Sequence, residues 1–410
     1  MNSSTTPSQV DLVVVGAGVV GATVAMTAAR RGLTTLLLEA GDDIGAGCSY
    51  ANASLLAPDH VTPLATPALL RDAVRQVLRR PPAVRVHPDP TVVGWLARLA
   101  RSAWGSRART GAEALTDLAG RSASLHADWG RAGLSSSYER IGAIDVLLRR
   151  RGRSSPQRMD PEQLGPDELR DLEPSLGEVV GGFHHPDEAV TEPRTYVRDM
   201  IAEAQRHGAR IEFGQRVQGL QRSGDRITGV RLVDAVVTAS HVVICTGLSG
   251  ELAAEVGLPL PLRGGRGYVI DLESSADTPA MAVRLPEHRV VVTPLSDRVR
   301  VAGSIEFGAE HRPVDRARAH ALVQAAARGV PALTDRPVLE VWAGERPCTS
   351  DGLPVLGRTD RAEGLSFALG HGMWGLILAP ASAELVLDGL DRPVDRTSPF
   401  RPDRFAGPTR

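Results

Sequence analysis

Apolar and polar positions change their period several times along this chain, and each change predicts an element. Leu12–Val15 is a short β-branched run between Asp11 and Gly16, the pattern of a buried strand, and Ala22–Arg31 behind it reads as a helix. After Gly32 a second apolar run, Leu33–Leu38, predicts a strand that ends at Glu39. From Pro67 to about Arg109 two helical patterns are separated by proline-rich breaks at Pro81-Pro82 and His87–Pro90, and Ala112–Arg131 predicts another helix. Gly142–Leu148 alternates as a strand, Arg149–Arg153 reads as a charged turn, and Pro161–Leu172 as short helical turns. A strand beginning at Gly181 and reaching His185 is expected to return the chain to its first domain, followed by a helix over Pro193–His207. Arg210–Phe213, Val217–Gln221, Ile227–Leu232 and Ala235–Thr238 read as short strands, and Val242–Cys245 as a buried strand stopping at Thr246-Gly247. Leu262–Leu272, Val290–Thr293 and Arg298–Ala302 predict antiparallel sheet carrying a helix over Arg316–Arg328. Leu339–Ala343 is a strand leading into a loop from Gly344, Leu365–Leu369 a last strand, and Trp374–Leu390 a last helix.

This order predicts an α/β protein of two interleaved domains. Residues 1–66, 185–250 and 344–410 would gather into a Rossmann-like nucleotide-binding domain; residues 67–184 and 251–343 would make an α+β substrate domain on an antiparallel sheet.

The first strand, turn and helix carry the chemistry. Gly16-Ala17-Gly18-Val19-Val20-Gly21 is G-x-G-x-x-G at a strand-to-helix junction. Gly16 permits the tight turn, Gly18 leaves room for a pyrophosphate, and Gly21 lets the helix pack on the strand. The helix N-terminus then turns unpaired N–H groups toward the phosphates. Glu39, at the end of the second strand, is placed to accept hydrogen bonds from ribose hydroxyls and would repel a 2′-phosphate. On these residues alone FAD and NAD both remain open.

Composition removes other classes. The formal net charge is −1 and the pI about 6.8, so nothing points to nucleic acid. All 47 basic residues are arginine. Without lysine there is no Schiff base for pyridoxal phosphate and no phosphate-loop lysine. Three scattered cysteines, Cys48, Cys245 and Cys348, suggest neither a disulfide framework nor a structural zinc site, and no metal is expected. The opening residues show no signal-peptide pattern and no apolar run is long enough to span a bilayer, so a soluble protein of a reducing compartment, the cytoplasm, is expected.

Further blocks carry a resemblance. SYANAS at Ser49–Ser54, GGFHHPDEAVTEP at Gly181–Pro193, RGYV at Arg266–Val269, GERPCTSDGLPVLGRT at Gly344–Thr359 and GHGMWGLILAPASAELV at Gly370–Val386 resemble the D-amino-acid oxidase superfamily of FAD enzymes, most closely its D-amino-acid dehydrogenase branch. The resemblance implies an FAD-binding domain of the glutathione-reductase type. Glu39 and Ala40 would hold the adenosine ribose, and Ser49, Asn52, Ala53, Ser54 and Leu55 would lie along the pyrophosphate, ribityl chain and ring edge. Val217 would meet the adenine through its backbone, with Thr246 and Gly247 close to the cofactor. Gly370, His371, Gly372, Met373, Trp374, Gly375 and Leu376 would present helix N-terminal amides to the pyrimidine end of the flavin. Arg346 matches an arginine that binds substrate carboxylate, and Tyr268 and His371 match residues near the substrate. A second carboxylate-clamping tyrosine has no counterpart near Val290–Val292. Gly344 stands where relatives of the sarcosine-oxidase type attach a cysteine to the flavin, so noncovalent FAD is expected. The implied activity is hydride transfer from Cα of an amino acid, D-amino acids favoured, with glycine-oxidase-like or imino-acid substrates as the alternative. Quinone, carrier or oxygen would take the electrons, and the arginine-bearing helices between Pro67 and Arg109 would be the contact with an anionic membrane face.

Overall fold

The computed structural model describes residues 9–44, 47–77, 83–149, 162–310 and 312–406. The expected features at residues 81–82 and 150–153 lie outside them. Two sheets organise the molecule. In the first, Val10–Val15 lies between Thr35–Leu38 and Val236–Ile244, all three parallel. Leu365–Leu369 extends this parallel core beyond Val236–Ile244, and Arg210–Glu212 extends it beyond Thr35–Leu38. The strands read as continuous apolar runs because helices cover the sheet. Val19–Arg30, Pro193–Arg206 and Gly375–Asp388 share a buried cluster on one face; Ala22, Ala25, Met26, Tyr196, Met200, Leu378 and Ala383 fill it.

Among the described residues the second sheet has nine strands, and its centre is built by three long ones. Leu262–Glu273 pairs antiparallel with Arg298–Phe307 on one side and with Val338–Thr349 on the other. Helix Arg316–Ala327 packs against this sheet, its Ala319, Leu322 and Ala326 sharing one buried cluster with Val283, Val290 and Val301.

Several expectations change once pairing is known. Gly181–His185 does not return to the first sheet; it pairs with Ala143–Leu147 and Glu162–Leu164 in the second. Ala235–Thr238 and Val242–Cys245 are halves of one strand, Val236–Ile244, whose first half joins a hairpin while its second half enters the parallel core. The loop expected from Gly344 is instead the last half of strand Val338–Thr349, so the domain boundary placed at residue 344 falls inside a strand of the second sheet. Helix Ser106–Arg131, assigned from sequence to the substrate domain, sends Leu115, Leu118, Ala119 and Trp129 into the core under the first sheet. The strand Val84–Val86, inside a proline-rich break, is held by pairing with Ile305–Phe307. Local periodicity carries no information on which sheet receives a strand.

Candidate active site

Four adjacent parallel strands finish side by side, at Leu369, Ile244, Val15 and Leu38, as their register requires. The residues that follow them, Gly370, Cys245-Thr246-Gly247, Gly16 and Glu39, therefore meet along one edge. Carboxyl ends of parallel strands are where open α/β sheets bind ligands.

Each fingerprint glycine has a steric reason. A Cβ on Gly16, whose φ is +102°, would stand 2.8 Å from the Cys245 carbonyl oxygen, and one on Gly21 would stand 1.8 Å from that of Gly16. Gly18 ends the loop at the N-terminus of helix Val19–Arg30 and offers no side-chain cap. The Val19 N–H instead donates to Ser49 Oγ at 3.1 Å. Glu39 accepts from the Ala17 N–H at 2.7 Å and the Gly41 N–H at 2.9 Å, which fixes its carboxylate beside the turn.

One stretch of the groove is lined by Gly16, Gly18, Glu39, Ala40, Ser49, Val217, Thr246 and Gly247. It runs on into a cavity lined by Val19, Val20, Asn52, Gly370, His371, Gly372, Met373, Gly375 and Leu376. Here a second helix N-terminus, that of Gly375–Asp388, approaches the first: a Cβ on Gly375 would touch Val19 Cγ2 at 3.7 Å. Positive φ at Gly370 and Gly372, +74° and +58°, turns the chain from strand into helix.

The roof comes from the second sheet. Gly265, Gly267 and Val269 lie directly opposite Arg346, Gly344 and Trp342, so all six share a face. Gly267, Val269, Trp342, Gly344 and Arg346 line the cavity. A Cβ on Gly267 would come 2.1 Å from Arg346 Nη2, so this glycine makes the space that the guanidinium fills. Arg346 Nη1 donates to the Ser304 carbonyl at 2.9 Å. Among the described residues no carboxylate forms an ion pair with Arg346. Burial pulls its pKa below the usual arginine value, with nearby Cys348, Cys48 and Glu345 acting the other way. A half-buried cation that faces a cavity and has no ion-pair partner among the described residues favours entry of an anion.

His371 lines the same cavity, and its Nε2 lies 3.1 Å from Ser382 Oγ. Burial pushes its pKa down to about 3, so the ring is neutral near pH 7. The thiols are protonated for the same reason: burial raises Cys48, which lines the cavity, and raises Cys348 to about 12.

Not every residue expected at the site reaches it. Tyr268 alternates with Gly267 and Val269 and so faces away, 1% exposed, into the core beneath helix Arg316–Ala327. The lining of the SYANAS segment ends at Asn52, whose Oδ1 accepts from the Ser54 N–H at 2.7 Å. Ala53 gives its carbonyl to Thr293 Oγ1, Ser54 Oγ accepts from Arg300 Nη1, and Leu55 pairs with Val190. Trp374 directs its indole N–H to the Thr62 carbonyl at 2.9 Å. Sequence reasoning missed Gly267, Val269, Trp342 and Cys48 as lining residues; only a known register tells which face of a strand meets a ligand.

The cradle thus offers a dinucleotide a tight glycine turn, two converging helix N-termini and a fixed carboxylate. A family model for FAD-dependent oxidoreductases, DAO, matches residues 11–388. D-amino acid dehydrogenase 2 of Pseudomonas aeruginosa is 30% identical over 394 residues, covering 92% of this chain and 94% of that protein. D-amino acid dehydrogenase of Paramagnetospirillum magneticum is 29% identical over 404 residues, with 92% and 94% covered. The crystal structure of glycine oxidase from Bacillus cereus shares the fold, with a TM-score of 0.76 at 20% identity over 95% of this chain and 99% of that one. Because the match runs from the first strand to the last helix, across both sheets, the chain belongs to the DAO family of FAD-dependent oxidoreductases and is an enzyme.

Proposed function

We propose that this enzyme oxidises an amino acid at its Cα–N bond, D-amino acids being the favoured class. The observation that carries the reading is Arg346, a guanidinium that faces the cavity across Gly267 and has no carboxylate partner among the described residues. Its planar pair of donors matches an α-carboxylate, and Ser304 and Gly267 fix its orientation. When bound, FAD supplies the acceptor for the hydride leaving Cα, and the imine product hydrolyses in water to a 2-oxo acid and ammonia. The residues of this chain position and polarise. Glu39 and the amides following Gly16 hold the adenosine half, while the N-terminus of helix Gly375–Asp388 favours negative charge at the flavin end. His371, neutral and tied to Ser382, shapes the wall without adding charge. The names of the two curated relatives support the D-amino-acid reading.

FAD is held noncovalently in this reading. Gly344 in the cavity wall cannot attach to it, and protonated thiols at Cys48 and Cys348 are poor nucleophiles. The electrons pass to a quinone or carrier. No helix among the described residues is long and apolar enough to cross a membrane. The proposed membrane contact is peripheral: Arg98, Arg101, Arg107 and Arg109 are exposed around the exposed side chains of Val93 and Trp104.

The deciding experiment is anaerobic mixing of the purified yellow protein with D-amino acids, L-amino acids and cyclic imino acids while flavin absorbance is followed. Bleaching by D-amino acids supports the proposal, and bleaching by none of the panel overturns it. Stoichiometric peroxide on admitting air would replace the quinone or carrier with oxygen, and indifference to anionic vesicles at low salt would remove the membrane contact.

A further inference from the structure

A second cluster of chemistry-bearing side chains lies outside the cavity lining. His60 comes from the short 3-10 turn Pro58–His60, Asp145 from strand Ala143–Leu147, His185 from the end of strand Gly181–His185, and Glu188 from the turn after it. Asp145, His185 and Glu188 are 4%, 9% and 3% exposed, so bulk solvent barely reaches them. Arg284 Nε holds Asp145 Oδ1, and Arg284 Nη1 holds Glu188 Oε2. The other oxygen of each carboxylate faces both imidazoles.

Both rings span the same pair of oxygens. His60 Nδ1 is 3.3 Å from Glu188 Oε1, and its Nε2 is 3.4 Å from Asp145 Oδ2. His185 repeats the arrangement at 3.8 Å and 3.7 Å. A neutral imidazole has one N–H and one lone pair. Each ring, if neutral, therefore turns a lone pair toward an anionic oxygen whichever tautomer it adopts. The contacts are also long for hydrogen bonds, and His60 Nδ1, His185 Nε2 and Glu188 Oε1 are buried without a hydrogen-bond partner. The imidazole side of the cluster has room for positive charge between the rings and the two carboxylates: two added protons or one divalent cation would supply it.

We infer that His60 Nδ1, His185 Nδ1 and Glu188 Oε1 bind one divalent cation of the zinc class, with Asp145 Oδ2 accepting the Nε2–H of both rings. One ligand atom from each of His60, His185 and Glu188 lies within 4.8 Å of the others. A tetrahedral sphere with bonds of about 2.0–2.2 Å has ligand-to-ligand edges of about 3.3–3.6 Å, so closing it takes about an ångström of side-chain movement. Two imidazoles and a carboxylate suit zinc rather than calcium or magnesium. A carboxylate behind each ligating histidine fixes its tautomer, and Arg284 in turn fixes both carboxylates. The site ties together two strands and two turns, and because His60 and Asp145 lie far in sequence from His185 and Glu188, the full set does not show as a ligand spacing and none was expected there. Its role is structural.

The test uses the FAD-loaded, tag-free protein, stripped with a chelator and titrated with zinc chloride alone. The expected result is one zinc per chain by elemental analysis, a higher melting temperature with zinc, and at least tenfold weaker zinc binding in His60→Ala and in Glu188→Gln at unchanged flavin content. Cobalt(II) gives a readout on the unaltered protein: a tetrahedral d–d band at wavelengths beyond the flavin absorbance, displaced by zinc. Substoichiometric zinc with no melting shift and no cobalt band overturns the proposal and leaves two protonated histidines as the cluster's cations. Zinc binding retained at full strength by both variants overturns it as well.

Discussion

Replacing Arg346 by leucine separates a substrate contact from a structural one, because the structure assigns the two roles different magnitudes. In the free protein Arg346 makes one hydrogen bond, to the Ser304 carbonyl, and no ion pair among the described residues. Losing that bond costs about 1 kcal/mol. Removing a buried cation that lacks a counter-ion offsets part or all of it. For a chain of this size the melting temperature should therefore move by about 2 °C or less, with FAD content unchanged. A substrate carboxylate, by contrast, would lose its buried partner. Such a loss costs on the order of 2–5 kcal/mol, or roughly 30-fold to several-thousand-fold in kcat/KM. The assay is the anaerobic flavin-bleaching rate for an amino acid and for its amide, beside flavin content and melting temperature. The acid should fall by the full factor and the amide by far less. Gly267→Ala offers an independent route, since its Cβ would displace the guanidinium from 2.1 Å away without removing it; it should reproduce the selective loss. Equal losses for acid and amide, or a flavin-free Arg346→Leu protein, would refute the carboxylate role.

Other expectations concern the cofactor and the core. Acid precipitation should release yellow FAD into the supernatant, and colour retained in the pellet would contradict noncovalent binding. Glu39→Ala should weaken FAD binding by about 1.5–3 kcal/mol, the range of a charge-assisted hydrogen bond; an unchanged dissociation constant by fluorescence titration would remove Glu39 from the site. Gly21→Ala places a Cβ 1.8 Å from the Gly16 carbonyl oxygen, so helix and strand must separate, at about 1–3 kcal/mol by denaturant unfolding together with lost FAD. Burial lowers His126 to about 4 and His241 and His371 to about 3, all from 6.5. The unfolded chain therefore binds more protons below pH 6.5. Stability should fall with pH from there toward pH 4, by about 2 kcal/mol per histidine at pH 5. Denaturant midpoints flat between pH 7 and 5 would rule this out.

What the sequence determined by itself is local and short-ranged. Strand, glycine turn, helix, strand and terminal acid lie within residues 10–39, and their order alone is enough to propose a dinucleotide at Gly16, Gly18, Gly21 and Glu39. For Gly370–Leu376 the local order gave only a strand and a helix, and the expectation of a flavin contact came from the resemblance. Tertiary structure decided everything that depends on which strand lies beside which, and in what register. Pairing opposite Arg346, Gly344 and Trp342 turned Gly267 and Val269 toward the cavity and, by the two-residue period of a strand, buried Tyr268 on the other side. Pairing extended Val338–Thr349 through a segment that reads as a loop, and sent Gly181–His185 to the second sheet. It also left Arg346 without a carboxylate partner among the described residues and gathered His60, Asp145, His185 and Glu188 around Arg284. Side-chain period is a property of the local backbone, whereas register and partnership are settled by burial summed over the whole core, which no single segment encodes.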